Sequence, residues 1–122
     1  MKGLGSDLVE VARIRSSIEQ YGTHFLRRLF TEKEQEYCLK FKDPAPHFAG
    51  RFAAKEAAAK ALGVGIGEHL GWLDMEIGND SQGKPLIELS PKAKERFASV
   101  ELLLSITHTK EYAFAVVMST NL

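Results

Sequence analysis

Three charged side chains could act together on a phosphate-containing substrate. Asp7 follows the segment Gly3-Leu4-Gly5, and Glu56 and Lys60 lie in the alanine-rich stretch RFAAKEAAAKALG, residues 51–63. Two converging carboxylates, together with phosphate oxygens, are a usual way for proteins to hold Mg²⁺. A lysine beside them could neutralise phosphate charge. If the fold brings these residues together, they form a metal and phosphate site.

Each of these residues also has an ordinary structural interpretation. On a helix, Glu56 and Lys60 are four residues apart and can form a stabilising ion pair worth about 0.2–0.5 kcal/mol. Asp7 could be the N-cap of a following helix. The turn GVGIG, residues 63–67, could offer backbone amides to a phosphate, but Gly63 could equally be a helix C-cap. The turn does not match a P-loop, and the residues alone leave these alternatives open.

The elements that must position these residues indicate an α+β fold, with N-terminal helices packed on an antiparallel sheet. Apolar periodicity, a capping box at Thr31–Glu34 and turn residues define the elements. In order, the predicted elements are a brief strand ending near Asp7, a helix over 10–20, one or two helical turns over 25–30, a helix from about 31 to 41, a break at 43–46, a helix from about 47 to 62, strands at 73–77 and 86–89, a helix over 91–98, and a hairpin of 101–107 with 112–118. We expect residues 1–122 to form one domain.

The long helix is expected to have two different faces. At about 100° per residue, five alanines fall on one broad arc that suits close packing, while Glu56 and Lys60 lie on the opposite side. The alanines of this arc are Ala53, Ala54, Ala57, Ala58 and Ala61.

Composition excludes several classes of protein. The formal net charge is zero, which argues against a large nucleic-acid footprint. No apolar run reaches the roughly 18 residues of a membrane span, and the N-terminus lacks the apolar core of a signal peptide. The four histidines are scattered and the single cysteine, Cys38, lies in a predicted helix, so zinc is not indicated and a cytoplasmic location is expected. An early group of arginines is either a solvated helix face or a docking patch for an acidic partner: Arg13, Arg15, Arg27 and Arg28.

Four blocks of the sequence together resemble one enzyme family. The segments GLGSDLVEVARI (3–14) and GRFAAKEAAAKALGVGIG (50–67) are similar to the two signature blocks of the holo-[acyl-carrier-protein] synthases. These are small bacterial 4′-phosphopantetheinyl transferases. The segments GKP (83–85) and SITH followed by Tyr112-Ala113 also resemble the family, and the blocks occur in the family's order over nearly the whole chain.

The resemblance implies a reaction. The 4′-phosphopantetheine group passes from coenzyme A to a serine of apo acyl carrier protein, giving adenosine 3′,5′-bisphosphate, in support of fatty acid biosynthesis. It implies that Asp7 and Glu56 hold Mg²⁺ with the pyrophosphate, and that the serine proton goes to Glu56, to Asp7 or to a water on the metal. The choice among these three bases stays open.

The resemblance also implies binding roles. Lys60, Gly63 and Gly65 would contact the phosphates. Arg51 and His108 would lie near the 3′-phosphate of the nucleotide. On residue type alone, His108 is more typical of a surface turn than of a catalytic group. The remaining implied contacts are Lys84 and Pro85 at the adenine end, and Arg13 with Arg27 or Arg28 against acidic side chains of the carrier protein.

A chain with a single such unit is expected to complete its site by association. Larger members of the family carry two units with the site between them, so this chain is expected to form a homotrimer with active sites between subunits. Two other classes of function remain: a non-catalytic module that binds coenzyme A or the carrier protein, and a metal-dependent phosphohydrolase.

Overall fold

The helices and strands follow the predicted α+β order. The structure is a computed structural model that describes residues 2–121. The helices are α1 (Val11–Tyr21), α2 (Thr23–Leu29), α3 (Glu32–Leu39), α4 (Ala45–Leu62) and α5 (Pro91–Arg96). The strands are β1 (Gly3–Glu10), β2 (Met75–Asn79), β3 (Pro85–Leu89), β4 (Val100–His108) and β5 (Tyr112–Asn121), and a short 3₁₀ helix spans Trp72–Asp74. Within the described range, no helix is long and apolar enough to cross a bilayer.

The strands form two antiparallel sheets, and α4 packs against the larger one. The three-stranded sheet has the order β1-β5-β4, and β2 pairs with β3. Inward residues of β5 alternate with outward ones, as expected for a sheet covered on one face. The inward residues Ala113, Ala115 and Val117 are fully buried, as are most of the predicted small residues of α4. The close-packing role of the alanine arc is therefore confirmed, but the burial of α4 extends beyond this arc, because Arg51, Lys55 and Ala59 are buried as well.

Glycines in β1 allow this strand to lie directly on the backbone of α4. A Cβ atom added at Gly5 would lie 2.0 Å from the carbonyl oxygen of Ala57, and one at Gly3 would lie 1.9 Å from that of Ala61. Real Cβ atoms do not approach so closely, and a helix backbone cannot move aside without losing its hydrogen bonds. The two glycines therefore set the distance between β1 and α4, and with it the distance between Asp7 and Glu56.

Two predictions about element boundaries were wrong. The strand that was expected to end near Asp7 continues to Glu10, because Leu8, Val9 and Glu10 also pair with β5. Asp7 therefore lies inside a strand opposite Ala115 and is not a helix N-cap. Helix α4 begins at Ala45, inside the segment that was expected to break the chain. Proline is tolerated in a first helical turn because the amide there needs no intrahelical partner.

The N-terminus of α3 and the C-terminus of α4 have the expected caps. Thr31 and Glu34 form the predicted capping box, in which each side chain accepts a hydrogen bond from the other residue's backbone amide. At the end of α4, Gly63 has φ 75° and its amide donates to the Lys60 carbonyl at 3.1 Å, while the Val64 amide donates to Ala59 at 3.0 Å. This is a Schellman motif, so Gly63 is a helix C-cap whatever its role toward phosphate.

A buried ion pair ties α4 to the rest of the helical layer. Lys55 and Glu34 have fully buried side chains, and the Lys55 ammonium lies 2.7 Å from Glu34 Oε1. The same ammonium donates to the carbonyls of Leu29 at 2.6 Å and Trp72 at 3.0 Å, and Glu34 Oε2 accepts from the Ile77 amide at 2.8 Å. Burial lowers the pKa of Lys55, and the charge of Glu34 opposes that change. Every strong donor and acceptor is paired, as a buried charge requires.

The outer face of the three-stranded sheet is apolar and exposed. Its large side chains form cross-strand neighbours, such as Leu4 with Met118 and Leu8 with Phe114. The five side chains of this outer sheet face are between 39% and 72% exposed: Leu4, Leu8, Leu103, Phe114 and Met118. Such a contiguous patch is typical of an interface with another protein.

Candidate active site

Asp7 and Glu56 line one cleft between β1, α1 and α4. The cleft has a volume of about 430 Å³, and its walls also contain Arg13, Phe25 and Phe52. The strand carries Asp7 inward toward α4, and the side of α4 opposite its alanines carries Glu56. The structure therefore brings together the two carboxylates that the sequence placed 49 positions apart. A larger cleft, of about 530 Å³ between β3 and β4, contains none of the predicted site residues.

The environment of Glu56 favours its protonated form. Partial burial raises the pKa of Glu56, the nearby charge of Asp7 raises it further, and Lys60 opposes both. One carboxylate raises the pKa of another in this way only when the two are close, since the interaction falls with distance. The repulsion is relieved when a cation lies between them. A perturbed acid in a cleft with a charge partner is a physical sign of a functional site.

Lys60 completes the charged group at this cleft. Its ammonium donates to the Ser6 carbonyl at 2.9 Å and lies 3.4 Å from Asp7 Oδ1. The ordinary interpretation was an ion pair along the helix with Glu56. Among residues 2–121, the ion pair that Lys60 makes instead crosses to the strand. The lysine side chain is 55% exposed, so it is free to turn toward an incoming anion.

The residues present fit a Mg²⁺ ion that shares its ligands with a substrate. Within the described part of the chain, no group of three or more His, Cys, Asp or Glu side chains could hold a metal ion by itself. Asp7 and Glu56 provide two carboxylates, and Mg²⁺ commonly takes one or two carboxylates together with substrate phosphates and waters. Both carboxylates line the same cleft, and the charge of Asp7 contributes to the raised pKa of Glu56, which together support this fit.

The three predicted docking arginines lie on neighbouring helices. Arg13 is exposed on α1 and lines the cleft of Asp7 and Glu56. Arg27 and Arg28 are exposed in the last turn of α2, the helix that also contributes Phe25 to the cleft. The structure thus places Arg13 at the cleft itself and the other two on the helix that contributes Phe25 to the cleft.

Arg51 and His108 lie in a second region. Arg51 is only 6% exposed: its guanidinium stacks on the Tyr37 ring at 4.1 Å and donates from Nη2 to Asn79 Oδ1 at 2.9 Å. Its Nε has no hydrogen-bond partner among the described residues. His108 ends β4 and packs edge-on against His47 with ring centroids 5.1 Å apart. Burial lowers the pKa of His47, and the charges of His108 and Arg51 add to this effect.

The predicted residues of the β2–β3 hairpin lie beside Arg51. Asn79, which accepts from Arg51, ends β2 and pairs with Pro85 at the start of β3. Lys84 is exposed in the turn between them. Gly65 is also exposed, two residues beyond the Gly63 cap of α4. A single chain therefore divides the predicted residues between the Asp7/Glu56 cleft and a separate region around Arg51.

Sequence reasoning missed four residues that shape these regions. Lys55 was noted as a charge of the alanine helix, but its burial with Glu34 was not foreseen. The signal was present, because Arg51 and Lys55 are four residues apart and therefore share a helix face. Phe52, which stacks on Trp72 at 5.1 Å, walls the cleft, and nothing in its local sequence marks that role. The local sequence likewise does not mark the roles of His47 and Asn79 beside His108 and Arg51. Cys38 lies buried in α3, and burial raises the pKa of its thiol to about 12, which disfavours the reactive thiolate.

Comparison with known proteins identifies the family. The family described as ACPS, the 4′-phosphopantetheinyl transferase superfamily, matches residues 3–117. The chain belongs to the 4′-phosphopantetheinyl transferase superfamily. Among its relatives in this superfamily, the holo-[acyl-carrier-protein] synthase of Protochlamydia amoebophila is 53% identical over 113 residues, which are 93% of each chain. The resemblance found in the sequence is confirmed.

Solved structures of the superfamily share this fold. The holo-[acyl-carrier-protein] synthase of Helicobacter pylori, in complex with coenzyme A, has a TM-score of 0.88 at 38% identity and covers 96% of this chain and 99% of its own. The enzyme of Neisseria meningitidis has a TM-score of 0.89 at 31% identity, with 98% of each chain covered. The predicted 4′-phosphopantetheinyl transferase-like fold is confirmed.

Proposed function

We propose that this protein transfers the 4′-phosphopantetheine group of coenzyme A to a serine of an apo acyl carrier protein. The products are holo acyl carrier protein and adenosine 3′,5′-bisphosphate. The observation that carries this proposal is the meeting of Asp7 and Glu56 in one cleft, beside Lys60, in a chain of this superfamily. Relatives that are named holo-[acyl-carrier-protein] synthases support the same reaction.

The transfer makes one phosphorus–oxygen bond and breaks another. The serine oxygen bonds to the phosphorus that carries pantetheine, and the bond from that phosphorus to the bridging oxygen of the pyrophosphate breaks. The serine proton must leave during attack, and a positioned carboxylate can accept it. Glu56 and Asp7 both line the cleft and are candidates for this role, together with a water that Mg²⁺ would hold. Lys60 can turn from Asp7 to the departing phosphate and stabilise its negative charge.

We propose that catalysis depends on Mg²⁺ held by Asp7 and Glu56. When bound, the ion neutralises pyrophosphate charge and makes the phosphorus easier to attack. Through the ion, Asp7 and Glu56 would hold the pyrophosphate at the cleft, and the aromatic walls Phe25 and Phe52 would limit the access of water.

We also propose that the region around Arg51 serves the nucleotide end of coenzyme A. Arg51 and His108 are assigned to the 3′-phosphate, Lys84 and Pro85 to the adenine, and the turn with Gly63 and Gly65 to the pyrophosphate. The first assignment is supported by the position of Arg51 in the wall of a small cleft beside Asn79, since a guanidinium there could bind a phosphate through charge-assisted hydrogen bonds. The amide of Gly63 already donates to the helix, so we assign any phosphate contact there to its neighbours in the turn.

The proposed binding surface for the acyl carrier protein is the positively charged region beside the cleft. Arg13 borders the cleft and Arg27 and Arg28 extend the positive surface along α2. An acidic carrier-protein helix would bind there, and opposite charges would speed its encounter with the enzyme. We propose that the carrier protein is that of fatty acid biosynthesis, that residues 1–122 act as one domain, and that the enzyme is cytoplasmic.

Replacing Arg13 should weaken the binding of the carrier protein and leave the binding of coenzyme A unchanged. For Arg13→Gln we expect the KM for apo acyl carrier protein to rise about five- to tenfold, with the KM for coenzyme A within about twofold, because a charge at the rim of an interface acts mainly on association. Steady-state kinetics at two salt concentrations measures both values. The matched control is Arg15→Gln on the same helix. The Arg15 guanidinium lies 2.7 Å from the carboxylate of Asp43, and this pair is not part of the Asp7/Glu56 cleft. Equal effects of the two variants, or equal effects on both substrates, would contradict the docking role.

We propose a homotrimer in which a neighbouring chain completes each active site. Two observations support this. The outer sheet face is apolar and exposed, which suits burial against copies of the same chain. The predicted donor residues of one chain lie apart from its Asp7/Glu56 cleft, so a neighbour could bring its Arg51 region to that cleft.

Charge placed on the outer sheet face should dissociate the trimer. Light scattering should give wild type three times the 13.6 kDa mass of one chain, while Phe114→Asp should approach one chain mass and lose activity. Leu73→Asp is the matched control, because Leu73 is 51% exposed on the 3₁₀ helix and lies outside this sheet. A wild-type chain that is monomeric at working concentration would contradict the proposal.

Intact-mass spectrometry tests the function directly. Apo acyl carrier protein should gain the mass of one phosphopantetheine group only when the protein, coenzyme A and Mg²⁺ are all present. Carrier binding without a mass gain would favour a non-catalytic binding module. Phosphate release from coenzyme A without an acceptor would favour a phosphohydrolase. Either result would overturn the transferase.

A further inference from the structure

We propose that Asn79 is a positioning residue, which joins Arg51 to the Gly83-Lys84-Pro85 turn and so holds the two parts of the donor-nucleotide region in register. This inference rests on the proposed function. The side-chain oxygen of Asn79 accepts from Arg51 Nη2 at 2.9 Å, and its Nδ2 donates to the Gly83 carbonyl at 3.1 Å. One side chain thus links helix α4 to the β2–β3 turn.

The chemistry of the amide explains why asparagine suits this position. A guanidinium only donates and a carbonyl only accepts, so the residue between them must offer one acceptor and one donor. An asparagine does so in one orientation, because the reverse orientation would place two donors together at Arg51 and two acceptors together at Gly83. The position of the Arg51 guanidinium therefore determines the position of the Gly83 carbonyl.

The turn is rigid enough to transmit this constraint to Lys84 and Pro85. The Asp80 amide donates to the Lys84 carbonyl at 2.9 Å, the Lys84 amide donates to Asp80 Oδ1 at 2.9 Å, and the Gly83 amide donates to the Asp80 carbonyl at 3.0 Å. Gly83 has φ 85°, which glycine adopts without strain. With its internal bonds made, the turn moves as one body, and Asn79 connects that body to α4.

Arg51 is itself held on its other side. Its guanidinium stacks on Tyr37 of α3 and the residue is 6% exposed, so it has a fixed point from which to orient the turn. Asn79 is exposed, and removing its side chain opens no cavity in the core. A substitution there should disturb the orientation of the turn and leave the fold intact.

The test is the effect of Asn79→Ala on each kinetic constant of the wild-type reaction. We expect the KM for coenzyme A to rise about five- to tenfold, as for the loss of a hydrogen bond to a charged group. We expect kcat and the KM for apo acyl carrier protein to stay within about twofold, and the melting temperature to stay within about 2 °C of wild type. Calorimetric titration with coenzyme A alone should show the same loss in affinity without turnover. A purely structural role would instead lower stability and move all three constants together.

Two further variants test whether Asn79 must bind both Arg51 and Gly83, or whether its contact with Arg51 alone is sufficient. Asn79→Asp keeps an acceptor for Arg51 but has no donor for Gly83, so it should also raise the KM for coenzyme A. Gln82→Ala, a change in the same turn at an exposed side chain, should behave as wild type. An unchanged KM in Asn79→Ala, wild-type behaviour of Asn79→Asp, or an equal defect in Gln82→Ala would each overturn the inference. An inactive wild-type protein would instead refute the proposed function, so the two failures are distinguishable.

Discussion

Glu56→Gln is expected to lower turnover by at least about a thousandfold while leaving the fold intact. The amide keeps the shape of the side chain but removes its charge, so the variant loses a proposed metal ligand and a candidate proton acceptor. Loss of a general base alone typically costs two to four powers of ten. Stability should stay the same or rise slightly, because the variant removes the repulsion from Asp7 that contributes to the raised pKa of Glu56.

Three measurements check this expectation. Single-turnover kinetics gives the chemical step, calorimetric titration of Mg²⁺ with coenzyme A gives the metal affinity, and thermal unfolding gives the stability. Glu95→Gln is the matched control, since Glu95 is exposed on α5 outside the Asp7/Glu56 cleft. More than about a tenth of wild-type turnover in Glu56→Gln would refute the role of this carboxylate.

Gly5→Ala is expected to remove most of the stability of the protein. The new Cβ would lie 2.0 Å from the Ala57 carbonyl oxygen and 2.7 Å from the Ala61 amide nitrogen, and both are helix backbone atoms. Relief would require β1 to move away from α4 along their whole contact. We expect a loss of at least about 4 kcal/mol, which is a large part of the usual 5–15 kcal/mol of a domain.

Thermal and denaturant unfolding of Gly5→Ala measures this loss. The melting temperature should fall by more than about 12 °C, or the variant should fail to accumulate as folded protein. Gly78→Ala is the matched control, because a Cβ at Gly78 in β2 meets no atom within 4 Å. A Gly5→Ala variant that melts within a few degrees of wild type would show that β1 and α4 can separate at little cost.

Local signals in the sequence were sufficient to predict most elements. The capping box at Thr31, the Gly63 cap and the alternating residues of β4 and β5 depend on neighbours within a few positions, so their sequence patterns are readable without the fold. Errors arose where tertiary pairing extended an element. The local sequence of residues 8–10 does not distinguish the end of β1 from the start of the following helix. Pairing with β5 keeps these residues extended.

The site was predictable in part for a similar reason. Asp7, Glu56 and Lys60 were selected by residue type and by the resemblance of the blocks that contain them, and the structure places them together. Asn79 and His47 were missed because their roles depend on partners 28 and 61 positions away, Arg51 and His108 respectively. The burial of Lys55 was missed because a charge on a helix is usually solvated, and only the pairing with Glu34 and two carbonyls makes burial tolerable here.

The Lys55 ammonium has a consequence for how the molecule opens. It binds the end of α2, the start of α3 and the 3₁₀ helix to the middle of α4. If any of these segments detached, the buried Lys55 ammonium would lose one of its three hydrogen-bond partners. The amides around it should therefore exchange with solvent only through global unfolding, as one cooperative unit. The helix that carries Glu56 should consequently belong to the slowest-exchanging part of the protein, so this wall of the cleft should open only when the whole protein unfolds.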